Sequence, residues 1–250
     1  QLKQIINGEP VQYFNVSKKH YIDELMEILQ RESNSKGINL IKCLAFKHLT
    51  TLSLDAHELN TLYKAFVKQL VSANLDVSII SFNFDCLLHE DPTVGIYFDY
   101  LLNFKAIKQT RELSYKRGKG IPLIKLHGSV DWGFNPITNE INLDYLPVRP
   151  DKYYGTDGSL RSVEEPYIFL PHQITGATIE QLWESAKSKL KQADKIVVIG
   201  YSFPDYDTRV IKLFQDNVNS QVEWEVIHSG EIAKQDEKKQ KIESHYKKMF

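Results

Sequence analysis

The sequence predicts an α/β protein with a parallel sheet and a helical region on its N-terminal side. Three observations predict this. After residue 76, β-branched apolar runs alternate with amphipathic helical patterns, the order that right-handed crossovers between parallel strands produce. Three of those runs stop abruptly at small, polar or ionisable residues: Val77–Glu90 (VSIISFNFDCLLHE), Ile121–Trp132 (IPLIKLHGSVDW) and Lys195–Asp207 (KIVVIGYSFPDYD). Before residue 76 the apolar spacing is helical.

Each element follows from local pattern. From about Lys19 to Leu75, Tyr21, Leu25, Ile28 and Leu29 recur at helical spacing, followed by Leu40, Leu44 and Leu49. Asp55 can cap a helix running through Leu59, Leu62, Tyr63, Phe66, Val67 and Leu70. Val77–Ser81 is a short buried strand, and Cys86–Glu90 opens a helix. Thr93–Phe104 is a strand or a cover element, and Gln109–Gly120 is a solvated basic loop. Ile121–Leu126 is the second strand, whereas Asp131–Gly158, rich in Asn, Pro, Asp and Gly, is an irregular loop. Ile168–Leu170 is a short strand and Ile179–Ala193 an amphipathic helix with Leu182, Trp183, Ala186 and Leu190 on its apolar stripe. Ile196–Ile199, a helix over Asp207–Asn217 and a strand over Val222–Ile227 complete the pattern. The domains expected are a mainly helical subdomain (1–75), a sheet-containing core (76–230) and a polar helical tail or linker (231–250).

Composition narrows the function classes. Hydrophobic residues at 42% and charged residues at 25% are ordinary for a globular chain with a sizeable core. Net charge is −1, from 31 basic and 32 acidic residues, which disfavours nucleic acid as the main partner. No apolar run reaches the length of a membrane span, and the polar start QLKQIINGEP is no secretory signal. The two cysteines, Cys43 and Cys86, form no CxxC pair, so a four-cysteine zinc ribbon is excluded and no metal is expected. A reducing cytoplasm fits this cysteine usage. The start at Gln1 and the Lys-rich end read as cuts within a longer protein.

In open parallel sheets, ligands bind beyond the carboxyl ends of the strands. The three strand ends carry Asn83 and Asp85, His127 and Ser129, and Gly200 and Ser202, and so predict one composite site. Each residue also has a plainer role available. Asn83 and Asp85 suit a turn or helix cap, His127 a structural turn, and Gly200 with Ser202 a sharp strand exit. Asp207 suits a helix N-cap better than a ligand contact, and Trp132 suits loop packing.

The three segments resemble the Sir2-like (sirtuin-type) NAD-consuming family, in particular its bacterial antiphage-defence branch. Ser81-Phe82-Asn83-Phe84-Asp85 is similar to the family's Asn-x-Asp signature, Leu126-His127-Gly128-Ser129 to its His-Gly, and Gly200-Tyr201-Ser202 to its Gly-x-Ser. The similarity spans roughly residues 40–230. It implies a Rossmann-like parallel sheet of the Sir2 type with a helical N-terminal or inserted subdomain. It implies NAD+ as substrate, with the nicotinamide–ribose bond cleaved to nicotinamide and ADP-ribose through an oxocarbenium-like state. By resemblance His127 is the base, Asn83 holds the ribose or the attacking water, and Asp85 orients the loop or contacts the nicotinamide amide. Ser81, Phe82, Asn83, Gly128, Gly200, Tyr201 and Ser202 would contact the cofactor, with His228 near the adenine ribose. The resemblance further implies an effector that depletes NAD in infected cells, homo-oligomerisation, and a fused or separate sensor domain.

Two departures stand out. The family's Gly-rich pyrophosphate loop has no counterpart in Gln1–Ser35. The zinc ribbon of the protein-deacylating sirtuins is also missing, which favours NAD hydrolysis over deacylation or ADP-ribosyl transfer. A catalytically silent nucleotide-binding or assembly module is the alternative.

Overall fold

The structure, a computed structural model, describes residues 57–89, 97–102, 104–107, 120–135, 137–138, 140–143, 165–169, 176–201, 203, 207–227 and 246. Expectations for residues 1–56, for the basic stretch 109–119 and for most of 231–250 lie outside them. The chain divides into two compact units, Gln1–Thr175 and Gly176–Phe250.

The first unit begins its described part with helix α1 (His57–Ser72). Val67 on its apolar stripe is fully buried, while Leu62 stays 67% exposed. The helix ends on Asn74 at φ 49°, a left-handed residue of the kind that closes helices, with the Ala73 N–H bonded to Gln69 O at 2.9 Å. Strand β1 (Ile79–Ser81) follows, then β2 (Phe98–Asp99), β3 (Phe104–Ile107) and β4 (Ile121–Lys125). β4 is central to a three-stranded parallel sheet, flanked by β1 and β2. Its Leu123 and Ile124 are fully buried, as a central parallel strand requires.

The expected helix at Cys86–Glu90 is a turn over the described residues, closed by the His89 N–H on Cys86 O at 2.9 Å. Asp85 opens this turn: its Oδ1 accepts the Leu87 N–H at 3.1 Å, a local bond that serves Asx turns and helix caps alike.

The larger difference lies after His127. The stretch expected to be irregular begins with β5 (Gly128–Asn135), which pairs antiparallel with β6 (Glu140–Leu143) and with β7 (Glu165–Ile168). β3 joins the far side of β6 in parallel, giving a four-stranded mixed sheet. Asn135, a residue that suggested a loop, makes the hairpin turn: its Oδ1 accepts the N–H groups of Ile137 and Thr138 at 2.9 and 3.2 Å. Phe134 stacks on Tyr167 across the β5–β7 pair, with ring centroids 4.6 Å apart. The strand expected at Ile168–Leu170 lies earlier, ending at Ile168.

The second unit follows the expected βαβ pattern. Helix α2 (Ala177–Lys191) buries Ile179, Leu182, Trp183, Ala186 and Leu190. β8 (Lys195–Ile199) and β9 (Glu223–Ile227) pair in parallel in register, and helix α3 (Thr208–Asn217) lies between them in sequence. Arg209 of α3 reaches α2, bonding Glu180 at 2.6 Å and lying 3.9 Å over the Trp183 ring. No helix among the described residues is long and apolar enough to cross a membrane.

Candidate active site

The site builds outward from the β1–β4 pair. Parallel register sets Ser81 beside Lys125, so Asn83 and His127 each lie two residues beyond a paired position. The Leu126 N–H continues the ladder to Ser81 O at 3.1 Å. Both motifs therefore leave the sheet at the same level.

The two exits then touch. The His127 ring lies 5.9 Å from the Phe84 ring, nearly parallel to it at 29°, and 5.7 Å from the Phe82 ring. The residues on either side of Asn83 thus both pack on the expected base. Asn83 itself is exposed, and its backbone N–H donates to Ser81 Oγ at 3.3 Å. The carbonyl of His127 accepts the Phe169 N–H at 2.9 Å, which fixes the turn from the β7 side. An exposed amide on a loop whose phenylalanines pack on a half-buried imidazole offers a hydrogen-bonding group for a polar substrate and a proton acceptor.

Behind this surface is a polar cluster of which the sequence points to Ser129 alone. Lys125 and Asp131 are each 2% exposed and His89 is 1% exposed. His89 Nε2 pairs with Asp131 Oδ2 at 3.0 Å, and Ser129 Oγ donates to Asp131 Oδ1. Lys125 Nζ donates to the backbone carbonyl of Asp85. Burial alone would raise the Asp131 carboxyl, but His89, Lys125 and Ser129 outweigh it and hold the group below its ordinary range. For Lys125 burial dominates and lowers the ammonium, against the opposing pull of Asp131, Asp85 and Cys86. Local pattern does not mark this cluster, because Lys125 ends β4 while Ser129 and Asp131 lie on β5 beyond the His127 turn.

The other expected site residues divide clearly. Asp85 has a carboxylate that accepts the Leu87 N–H; Tyr63 of α1 has its phenol raised first by burial and then by Asp85. Ser129, expected at the site surface, is fully buried and bonded to Asp131. Gly128, at φ 80°, is required by strand packing, since a Cβ there would sit 1.9 Å from Tyr167 O. Gly200, in the second unit, is the opposite case: at φ 70° its added Cβ would meet nothing within 4 Å, so the backbone is open to close approach. Tyr201 donates its hydroxyl to Asp207 Oδ2 at 2.5 Å. Asp207 occupies the N-cap position of α3, but its side chain makes no cap bond. Trp132 packs, as expected, fully buried and edge-on to Tyr100. Ser202 and His228 lie outside the described residues. No group of three His, Cys, Asp or Glu side chains suited to a metal occurs among the described residues.

No family model matches the chain. No curated protein matches it either. Among solved structures, a match is found to one described as "Structural Basis for the Mechanism and Regulation of Sir2 Enzymes", at 15% identity and a TM-score of 0.28. The match covers 56% of this chain and 65% of that one, so the chain spans less than two thirds of that structure's length.

Proposed function

We propose that the chain is an NAD+-cleaving domain that breaks the nicotinamide–ribose bond to give nicotinamide and ADP-ribose. One observation carries the reading: Phe82 and Phe84, the neighbours of Asn83, both pack on the His127 ring, so two motifs 44 positions apart form one surface. In this reading His127 accepts the proton of a ribose hydroxyl or of water as the oxocarbenium-like state develops. Asn83 orients that nucleophile through its amide, and Asp85 shapes the loop that carries Asn83. Cofactor contacts at Ser81, Phe82, Gly128, Gly200, Tyr201, Ser202 and His228 belong to the proposal through the motif resemblance alone. So do the role as an antiphage effector that depletes NAD, the homo-oligomer and the sensor domain.

A second reading is a silent nucleotide-binding or assembly module, to which one observation points: Gln1–Ser35 carries no Gly-rich pyrophosphate loop, which either lies upstream of these residues or was lost. Nicotinamide release from NAD+, measured for the full-length protein beside Asn83→Ala and His127→Ala, separates the two. Release that both variants abolish supports the enzyme. NAD+ binding without release, unchanged by His127→Ala, supports the module.

A further inference from the structure

The buried cluster behind the site has no part in the chemistry proposed above, yet ions are costly to bury unless they are paired. Its bonds converge on one stretch of backbone. Lys125 Nζ donates to Asp85 O, Ser129 Oγ lies 3.4 Å from Phe84 O, and the Val130 N–H donates to the same Phe84 carbonyl at 2.9 Å. On the other side of Asn83, Ser81 O accepts the Leu126 N–H at 3.1 Å. The backbone is therefore fixed on both sides of Asn83, while Asn83 itself remains exposed. Stability gives no reason for an ammonium at this place, because well-packed apolar replacements of buried ions are often neutral or stabilising.

We propose that Lys125, backed by Asp131 and Ser129, is a positioning residue that sets the Asn83 loop for substrate, a role that rests on the NAD-cleaving reading. An ammonium does here what an apolar side chain cannot: it holds a carbonyl at one point in space and fixes the direction in which the chain leaves it. A displacement of about 1 Å in such a loop lowers a rate by about 100-fold.

The test compares full-length wild type, Lys125→Met and Ser129→Ala. Each is measured for steady-state nicotinamide release, for hydrogen exchange of the Phe82–Leu88 amides and for thermal unfolding. The expected result is a folded Lys125→Met protein with faster exchange in that loop, kcat lower by about 100-fold and KM changed far less. Ser129→Ala should move the same two readouts in the same direction by less. A folded Lys125→Met protein with wild-type kcat, or with wild-type exchange in the loop, overturns the proposal. If Lys125→Met does not fold, Ser129→Ala decides by the same readouts. If wild type and Asn83→Ala alike release no nicotinamide, the NAD-cleaving reading fails by itself. Loop exchange then still decides whether Lys125 sets the loop.

Discussion

The His127 ring stacks on Phe84 at 5.9 Å and 29°, so the proposed base is packed against the residue that follows Asn83. Packing and chemistry at His127 can be separated. His127→Phe keeps an aromatic ring between Phe82 and Phe84 and removes the proton acceptor. It should stay within about 1 kcal/mol of wild-type stability while losing nicotinamide release. His127→Ala should lose both. Denaturant unfolding beside the release assay checks this, and activity retained in His127→Phe would remove the imidazole from the mechanism.

The two left-handed glycines should respond differently to alanine. Gly128→Ala drives a Cβ to 1.9 Å from Tyr167 O, whereas Gly200→Ala meets nothing within 4 Å. The first should cost about 3 kcal/mol or more, because either β5 or β7 must move. The second should cost about 1–2 kcal/mol, the ordinary penalty for an L-residue in that conformation. Urea unfolding of the two variants tests the ranking, and equal costs would refute the close approach of β5 to β7.

Asp131 makes stability depend on acid pH. Its carboxyl is held below its ordinary range in the folded chain, so it binds protons more weakly folded than unfolded. Its stabilisation is fully present above about pH 4 and is lost as pH falls through the lowered folded value. Asp131→Asn should be less stable than wild type at neutral pH, with the difference shrinking in acid. A difference that is constant from pH 7 to pH 2 would show that the charge is not responsible.

Tyr246 is 7% exposed, and its hydroxyl donates to the backbone carbonyl of Tyr201 while its ring lies edge-on to Phe203 at 5.3 Å. Burial pushes this phenol up to about 12, so it stays a donor throughout the neutral range. Tyr246→Phe keeps the ring contact and leaves the Tyr201 carbonyl short of a donor, at a cost of about 1 kcal/mol. Exchange at the Tyr201–Asp207 amides should rise in the variant, and an unchanged rate would show that the bond does not hold that loop.

What was legible in the sequence was the regular part. Ile179, Leu182, Trp183, Ala186 and Leu190 gave α2 its face by spacing alone, and the β-branched runs at β1, β4 and β8 gave the parallel strands. The β5–β6 hairpin was not legible, because its Asp131, Asn135 and Gly133 are residues that usually end strands. A distant partner, His89, helps to make Asp131 acceptable within β5, whereas Asn135 ends the strand and bonds the Ile137 and Thr138 amides of its own turn. The motifs lie just beyond paired strand ends, where Phe82 and Phe84, the neighbours of Asn83, pack on His127. They gave no hint that Ser129 turns inward or that Lys125 is buried, since burial of a polar side chain depends on partners distant in sequence.

The in-step pairing of β1 with β4 also acts as a ruler. Each residue added to a strand advances the chain by about 3.3 Å and turns the next side chain to the other face. One residue inserted between Ile79 and Asn83 would therefore carry Asn83 a whole notch past His127 and reverse its aspect, with every atom of the motif still present in the chain. The spacing of this surface is counted in residues, and it tolerates substitution far better than it tolerates a change in length.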